Sequence, residues 1–169
     1  KMMEEGNYIT EAEDLGSGDV QKRLADIVNR IEVKDAKEAS RERVNDAGNK
    51  LIEQAQRMLD AIDKSGLSES VKEVMKAVVE KITGVVETAK KLAAANPKLA
   101  MSMINMAKRA LAETGVQLNL MAEITSKVSD KGVAETLLKT VIESAKIVES
   151  AMKKAERGNS LPRPVNLNS

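Results

Sequence analysis

The chain has 169 residues, 42% hydrophobic and 31% charged, with a net charge of +1. This composition fits one globular domain with a buried core and excludes an intrinsically disordered chain. Cys and His are both absent, which excludes disulfides, zinc–sulfur sites, Ser–His and Cys–His nucleophile pairs, and the Glu-x-x-His motif of di-iron bundles.

Aromatic residues are nearly missing, with one Tyr, no Phe and no Trp. The core must therefore be built from Val, Ile, Leu, Met and Ala. Such a set suits closely spaced helices better than a sheet. The fold class expected is all-α, an antiparallel bundle of four or five long amphipathic helices. No apolar run approaches the length needed to cross a bilayer.

Residues 1–18 read as an acidic leader, in which Gly6, Gly16 and Gly18 interrupt any helix. Residues 19–158 carry the bundle, with Asp19 as a candidate first cap. Val20, Leu24, Ile27 and Ile31 step by four, three and four, which puts them on one helical face. The stretch from Glu32 to Arg43 is densely charged and has a thin apolar seam. Asn45, Asp46, Gly48 and Asn49 then offer a break, although apolar spacing resumes through Leu51, Ala55, Met58 and Ile62. The pattern fits one kinked helix or two helices with a turn. Ser65–Gly66 stops the segment, with Gly66 expected as a left-handed cap.

Ser68 is a good N-cap for the next helix. Val71, Val74, Val78, Ile82, Val85, Ala89 and Leu92 alternate by three and four, and Met75, Val79 and Val86 widen the stripe. Asn96–Pro97 is a joint, because proline disfavours helix before it and fits the first position of the helix after it. That helix reads to about Lys127, with Ala100, Met103, Ala107, Leu111, Thr114, Leu118 and Met121 as its main stripe and Leu99, Met106, Ala110, Leu120 and Ile124 as a second. Two stripes make it the most buried helix expected, and Gly115 should weaken it locally. After a turn at Ser129–Gly132, the last helix runs from about Val133 to Arg157. Its expected seam is Ala134, Leu137, Val141, Ser144, Val148, Ala151 and Ala155. Residues 159–169, with Pro162 and Pro164, form an extended tail.

Two of these helices show a spacing that resembles the vinculin-binding helices of talin and vinculin rod bundles. Val71, Val74-Met75, Val78-Val79, Ile82, Val85-Val86 and Ala89 follow it in one, and Leu137, Thr140-Val141, Ser144-Ala145, Val148, Ala151-Met152 and Ala155 in the other. The resemblance lies in spacing, since the residues depart at most of the family's Ala positions.

Catalysis would have to rely on carboxylates, Lys or Tyr8. Pairs such as Glu11 with Glu13 read as solvated charge, because buried acids are rare. No phosphate loop, calcium loop or dinucleotide fingerprint occurs, and neither a metal nor a cofactor is expected. Lys90–Lys91 and Lys153–Lys154 close helices, where they complement the dipole. With no aromatic beside them to stack on a base, nucleic acid is not an expected partner. Glu53–Arg57, Glu87–Lys91 and Glu149–Lys153 are spaced for i, i+4 ion pairs.

These features point to a non-enzymatic interaction or structural module: a scaffold, a cytoskeletal adaptor or a fragment of a pathogen surface or secreted protein. A bundle that binds a lipid surface is the alternative, disfavoured by the missing Trp and Phe. A protein partner is expected, and its contacts are sought in two places beyond the bundle's needs. One is the charged segment ending in Arg41 and Arg43. The other is the tail with Pro162 and Pro164. Met101, off its helix's main stripe, is expected at the surface as a further contact.

Overall fold

The computed structural model describes residues 17–31 and 39–157, and side chains from Val20 onward. Five helices account for nearly all of them: α1 (Ser17–Arg30), α2 (Arg41–Asp63), α3 (Glu69–Leu92), α4 (Pro97–Lys127) and α5 (Lys131–Glu156). The protein is an all-α bundle, and residues 19–64 supply two of its helices. Most of the expected leader and the whole tail, with Pro162 and Pro164, lie outside the described residues.

The caps follow local chemistry. Ser40, Ser68, Asn96 and Asp130 each accept a hydrogen bond from the backbone N–H three residues on, which satisfies a donor the helix cannot use. Pro97 takes the first position of α4, as its missing N–H allows. Three expectations need correction. Asp19 lies inside α1, which begins at Ser17. Asn45–Asn49 is not a break, since α2 runs straight through it. Gly48 is small there because α3 comes close: a Cβ would stand 3.1 Å from the Lys90 side chain and 3.2 Å from Val86. Gly66 does not take the left-handed conformation. The turn is closed by Ser65, whose Oγ donates to the Ile62 carbonyl at 2.7 Å and accepts from the Leu67 N–H at 3.3 Å.

Side-chain pairings fix the directions of the helices. Lys76 meets Asp63, and Lys90 reaches Asn49, so α2 and α3 are antiparallel. Gln117 meets Ser144, which makes α4 and α5 antiparallel. Val28 lies against Gly115, while Val20 and Leu24 lie near Leu118, so α1 also runs against α4. Helices α1 to α4 form an up-and-down four-helix arrangement in which α1 touches α2 and α4 but not α3. Helix α5 is added outside it, on the edge made by α3 and α4, and touches neither α1 nor α2. Only α4 meets all four others, so it buries most, as its two stripes predict.

The core is aliphatic and sulfur-rich. Leu24, Ile27, Met58, Ile62, Met75, Ile82, Met103, Ile104, Leu111, Leu118 and Met121 are all fully buried. Gly115 admits α1 to this core, because a Cβ there would stand 2.5 Å from Val28 Cγ2 and 3.2 Å from Met58 Cε. The glycine that costs helix propensity thus permits a close helix crossing.

Candidate functional site

Two surfaces depart from ordinary solvated helix, one on α4 and α5 and one at the end of α1. The first follows from a mismatch of lengths. Gly84 of α3 lies beside Glu156 of α5, with a Cβ position 2.6 Å from a carboxylate oxygen. These two helices are parallel, since both run against α4. About fifteen residues back along each, the start of α3 at Glu69 is level with Val141. Residues before Val141 therefore have no α3 beside them. Burial agrees: the buried residues of α5 are Val141, Ala145, Val148, Met152 and Ala155, while residues 131–140 are exposed or half-buried.

This overhang leaves apolar side chains in water. Val133 and Leu137 are exposed on the first half of α5, and Ile147 is 71% exposed on its second half. Val116, 58% exposed, and Leu120 lie on the outer face of α4. The Gln117–Ser144 bond, 3.1 Å long, sets the register of the hairpin. In that register Leu120 stands level with Val141 and Val116 with Ala145, so the exposed side chains run along both helices of one hairpin. Among the described residues, every exposed large hydrophobic lies on it. Gln117 is buried between the two helices, and its Oε1 has no hydrogen-bond partner.

The expected seam of α5 needs correction here. Leu137 is exposed, and Ala134, Ser144 and Ala151 are only half-buried. The buried face is turned toward Ala145 and Met152, because α5 has two neighbours on one side and, among the described residues, none on the other. Val116 and Ile147 were in no predicted stripe. The signal for them was a β-branched residue at a position the helix turns to solvent.

The second surface brings together two of the residues expected to make partner contacts, Arg43 and Met101. Arg41 is exposed at the first position of α2. Arg43 is also exposed, with its backbone N–H donating to Ser40 Oγ at 3.2 Å. Met101 is not at the surface; it is 3% exposed. A helix touched by four others buries a wider arc than its main stripe, and Met101 falls within that arc. Met101 and Arg43 line one cavity between α2 and α4, whereas Arg41 does not.

Charge is otherwise placed for local ties. Lys76 donates to Asp63 Oδ1 at 2.7 Å, and Lys72 donates to the Asp63 carbonyl at 3.0 Å. The hydrogen bond and the charge of the Asp63 carboxylate hold the Lys76 ammonium above its ordinary pKa. Arg23 reaches Asp60 at 3.2 Å and ties α1 to α2. Of the three i, i+4 pairs expected, Glu53 with Arg57 closes, at 3.4 Å. Among the described residues, no group of three acidic side chains could hold a metal ion. No helix among them is long and apolar enough to cross a membrane.

No protein-family model matches the chain, and no curated protein or solved structure matches it either.

Proposed function

We propose that the chain is a non-enzymatic interaction module whose α4–α5 hairpin receives an amphipathic helix from a partner protein. The observation that supports it is the confinement of Val116, Leu120, Val133, Leu137 and Ile147 to one hairpin. Scattered exposed apolar residues need no explanation, but a run of them along paired helices marks an interaction surface. Two antiparallel helices offer a shallow groove with aliphatic walls. A partner helix lays leucine- or isoleucine-like side chains into such a groove at a spacing of three and four residues.

A photo-crosslinking amino acid at position 147 tests the reading, with position 22 on α1 as the control. Specific protein adducts at 147 and none at 22, abolished by Leu120→Glu, are the expected result. Equal labelling at both positions would refute it. Flotation with liposomes that depends on Leu137 and Ile147 would replace it with the lipid-surface alternative.

A further inference from the structure

Helix α5 carries two seams, one residue out of step. Val141, Ala145, Val148, Met152 and Ala155 alternate by four and three and are buried against α3 and α4. Val133, Leu137, Thr140, Ser144, Ile147 and Ala151 alternate in the same way, and each is exposed or half-buried. A strict alternation of three and four is the spacing that faces another helix along its length. The outer seam is about 27 Å long, or about five turns. On α4, Val116 and Leu120 stand beside it.

The groove is not uniformly apolar. The Gln117–Ser144 bond crosses it near the middle. In that register Ile147 and Val116 lie within about one turn to one side, and Leu120 and Leu137 within about two turns to the other. Gln117 is 6% exposed, and its Oε1 has no hydrogen-bond partner. A buried acceptor left unpaired is destabilising. Ser144 accepts from Gln117 Nε2, so its own hydroxyl hydrogen remains to donate. Ser144 is half-buried, which opens the seam to the groove at this level. An acceptor without a donor and a hydroxyl with a hydrogen to give thus stand side by side, between two apolar stretches.

The rim at this height is acidic. Glu113 and Glu123 on α4 and Glu143 on α5 stand within about two turns of the polar centre. Glu113 and Glu143 are exposed, and Glu123 is half-buried. Glu123 meets Lys127 through Oε2, and a carboxylate has acceptor capacity beyond one such bond. Lys139 and Lys146 sit about 120° or more around α5 from the outer seam.

We infer that the helix bound in this groove carries an amide side chain, Asn or Gln, at the centre of an apolar heptad seam, with Lys or Arg along its edges. The inference rests on the hairpin being a helix-binding groove and names what the bound helix presents to it. The amide N–H donates to Gln117 Oε1, and the amide oxygen accepts the Ser144 hydroxyl hydrogen. Apolar residues three and four places before and after the amide pack on Val116 with Ile147 and on Leu120 with Leu137. One polar residue in such a seam fixes a single register at a cost in stability. The basic edges meet the three carboxylates.

Dye-labelled synthetic helices about 20 residues long serve as probes. They are titrated with the full chain and read by fluorescence anisotropy. The first has Leu along its seam, Gln at the central seam position and Lys at its edges, which also keep it from pairing with itself. The second has Leu at the central position, and the third has Glu at the edges. The first should bind about fivefold tighter than the second and about tenfold tighter than the third. Gln117→Met and Ser144→Ala should each remove the preference for Gln over Leu. Ile147→Lys, at an exposed position, should weaken every probe by about tenfold or more. A Leu probe that binds as well as the Gln probe would overturn the inference and leave the groove standing, as would equal binding of the Lys-edged and Glu-edged probes. Failure of all the probes to bind would overturn it too. Binding indifferent to Ile147→Lys would overturn both the inference and the groove. A dimer that dissociates on Ile147→Lys would give the groove to a second copy, and binding only after deletion of residues 1–16 would give it to the chain's own leader. Either result would overturn the inference.

Discussion

The four-helix part of the molecule and helix α5 are made of the same residue types, yet they are held differently. Close glycine approaches occur in both, at Gly48 and Gly115 within α1 to α4 and at Gly84 against α5, but around α1 to α4 the chain adds polar ties at Arg23–Asp60, Lys76–Asp63 and Lys90–Asn49. Helix α5 has 26 residues and buries only five of them. Its tie to α4 is the Gln117–Ser144 bond, which leaves Gln117 Oε1 unpartnered. A helix with neighbours on one side retains less of its stability through packing than one enclosed on several. The difference is one of enclosure: α5 packs on α3 and α4 from one side, and its opposite face and its first ten residues carry its exposed apolar side chains.

The largest effects should come from the enclosed part. Leu118→Ala and Ile82→Ala each remove a fully buried aliphatic side chain, and each should cost about 2–5 kcal/mol in a denaturant titration. Equal costs for Leu137→Ala and Ile147→Ala would erase the distinction, since those exposed positions should change stability by no more than about 0.5 kcal/mol.

A pair of glycines sharpens it at the next level. Gly115→Ala places a methyl group against Val28, and the crowding should outweigh the gain in helix propensity, with a net loss of about 1–2 kcal/mol. Gly132→Ala, near the start of α5, meets only Asp130 Oδ1 at 3.4 Å and should stabilise by about 0.5–1 kcal/mol. The same titration reads both, and a loss at Gly132 would show that the start of α5 is more crowded than its exposure indicates.

Hydrogen exchange compares the two regions without substitution. Amides of residues 135–140 should exchange faster than those of 145–155, and both faster than the centres of α3 and α4. Uniform protection along α5 would argue against an overhang.

The smallest effect concerns the α2–α3 turn. Asp63 raises the pKa of Lys76, so this contribution to stability is full below the ordinary lysine pKa, about 10.4, and is lost as pH rises through the raised value. Asp63→Asn should bring the Lys76 titration back toward the ordinary range, as followed by NMR of the side-chain Cε. An unchanged midpoint would mean that another group holds the charge.

The parts of this fold that the sequence made legible are those governed by neighbours in the chain. The stripe from Val71 to Ala89, the Ser68 cap and the Asn96–Pro97 joint depend on spacing and local hydrogen bonds, and each stands where the pattern placed it. Apart from the local caps at Asp19 and Gly66, the misreadings concern relations between helices. Gly48 looked like a breaker because only the presence of α3 explains its size. Met101 looked exposed because the width of a buried arc depends on how many neighbours a helix has. Leu137 looked buried because no local signal tells α5 that α3 begins too late to cover it. Arg43 was singled out from its charge, but the cavity it shares with Lys108 required α2 and α4 to be brought together.

A core built without Phe or Trp leans on methionine, and sulfur gives it a chemistry that hydrocarbon lacks. Met58 and Met75 are fully enclosed within the four-helix part, whereas Met152 is the buried methionine of α5. A thioether that meets peroxide becomes a polar sulfoxide and no longer fits a dry interior. Each buried methionine thus reports whether its own region has opened. Brief peroxide exposure should mark Met152 before Met58 and Met75 when α5 detaches alone, and all three together when the bundle opens as a unit. The same reaction would hold α5 away once it had left, turning a reversible excursion into a lasting chemical record.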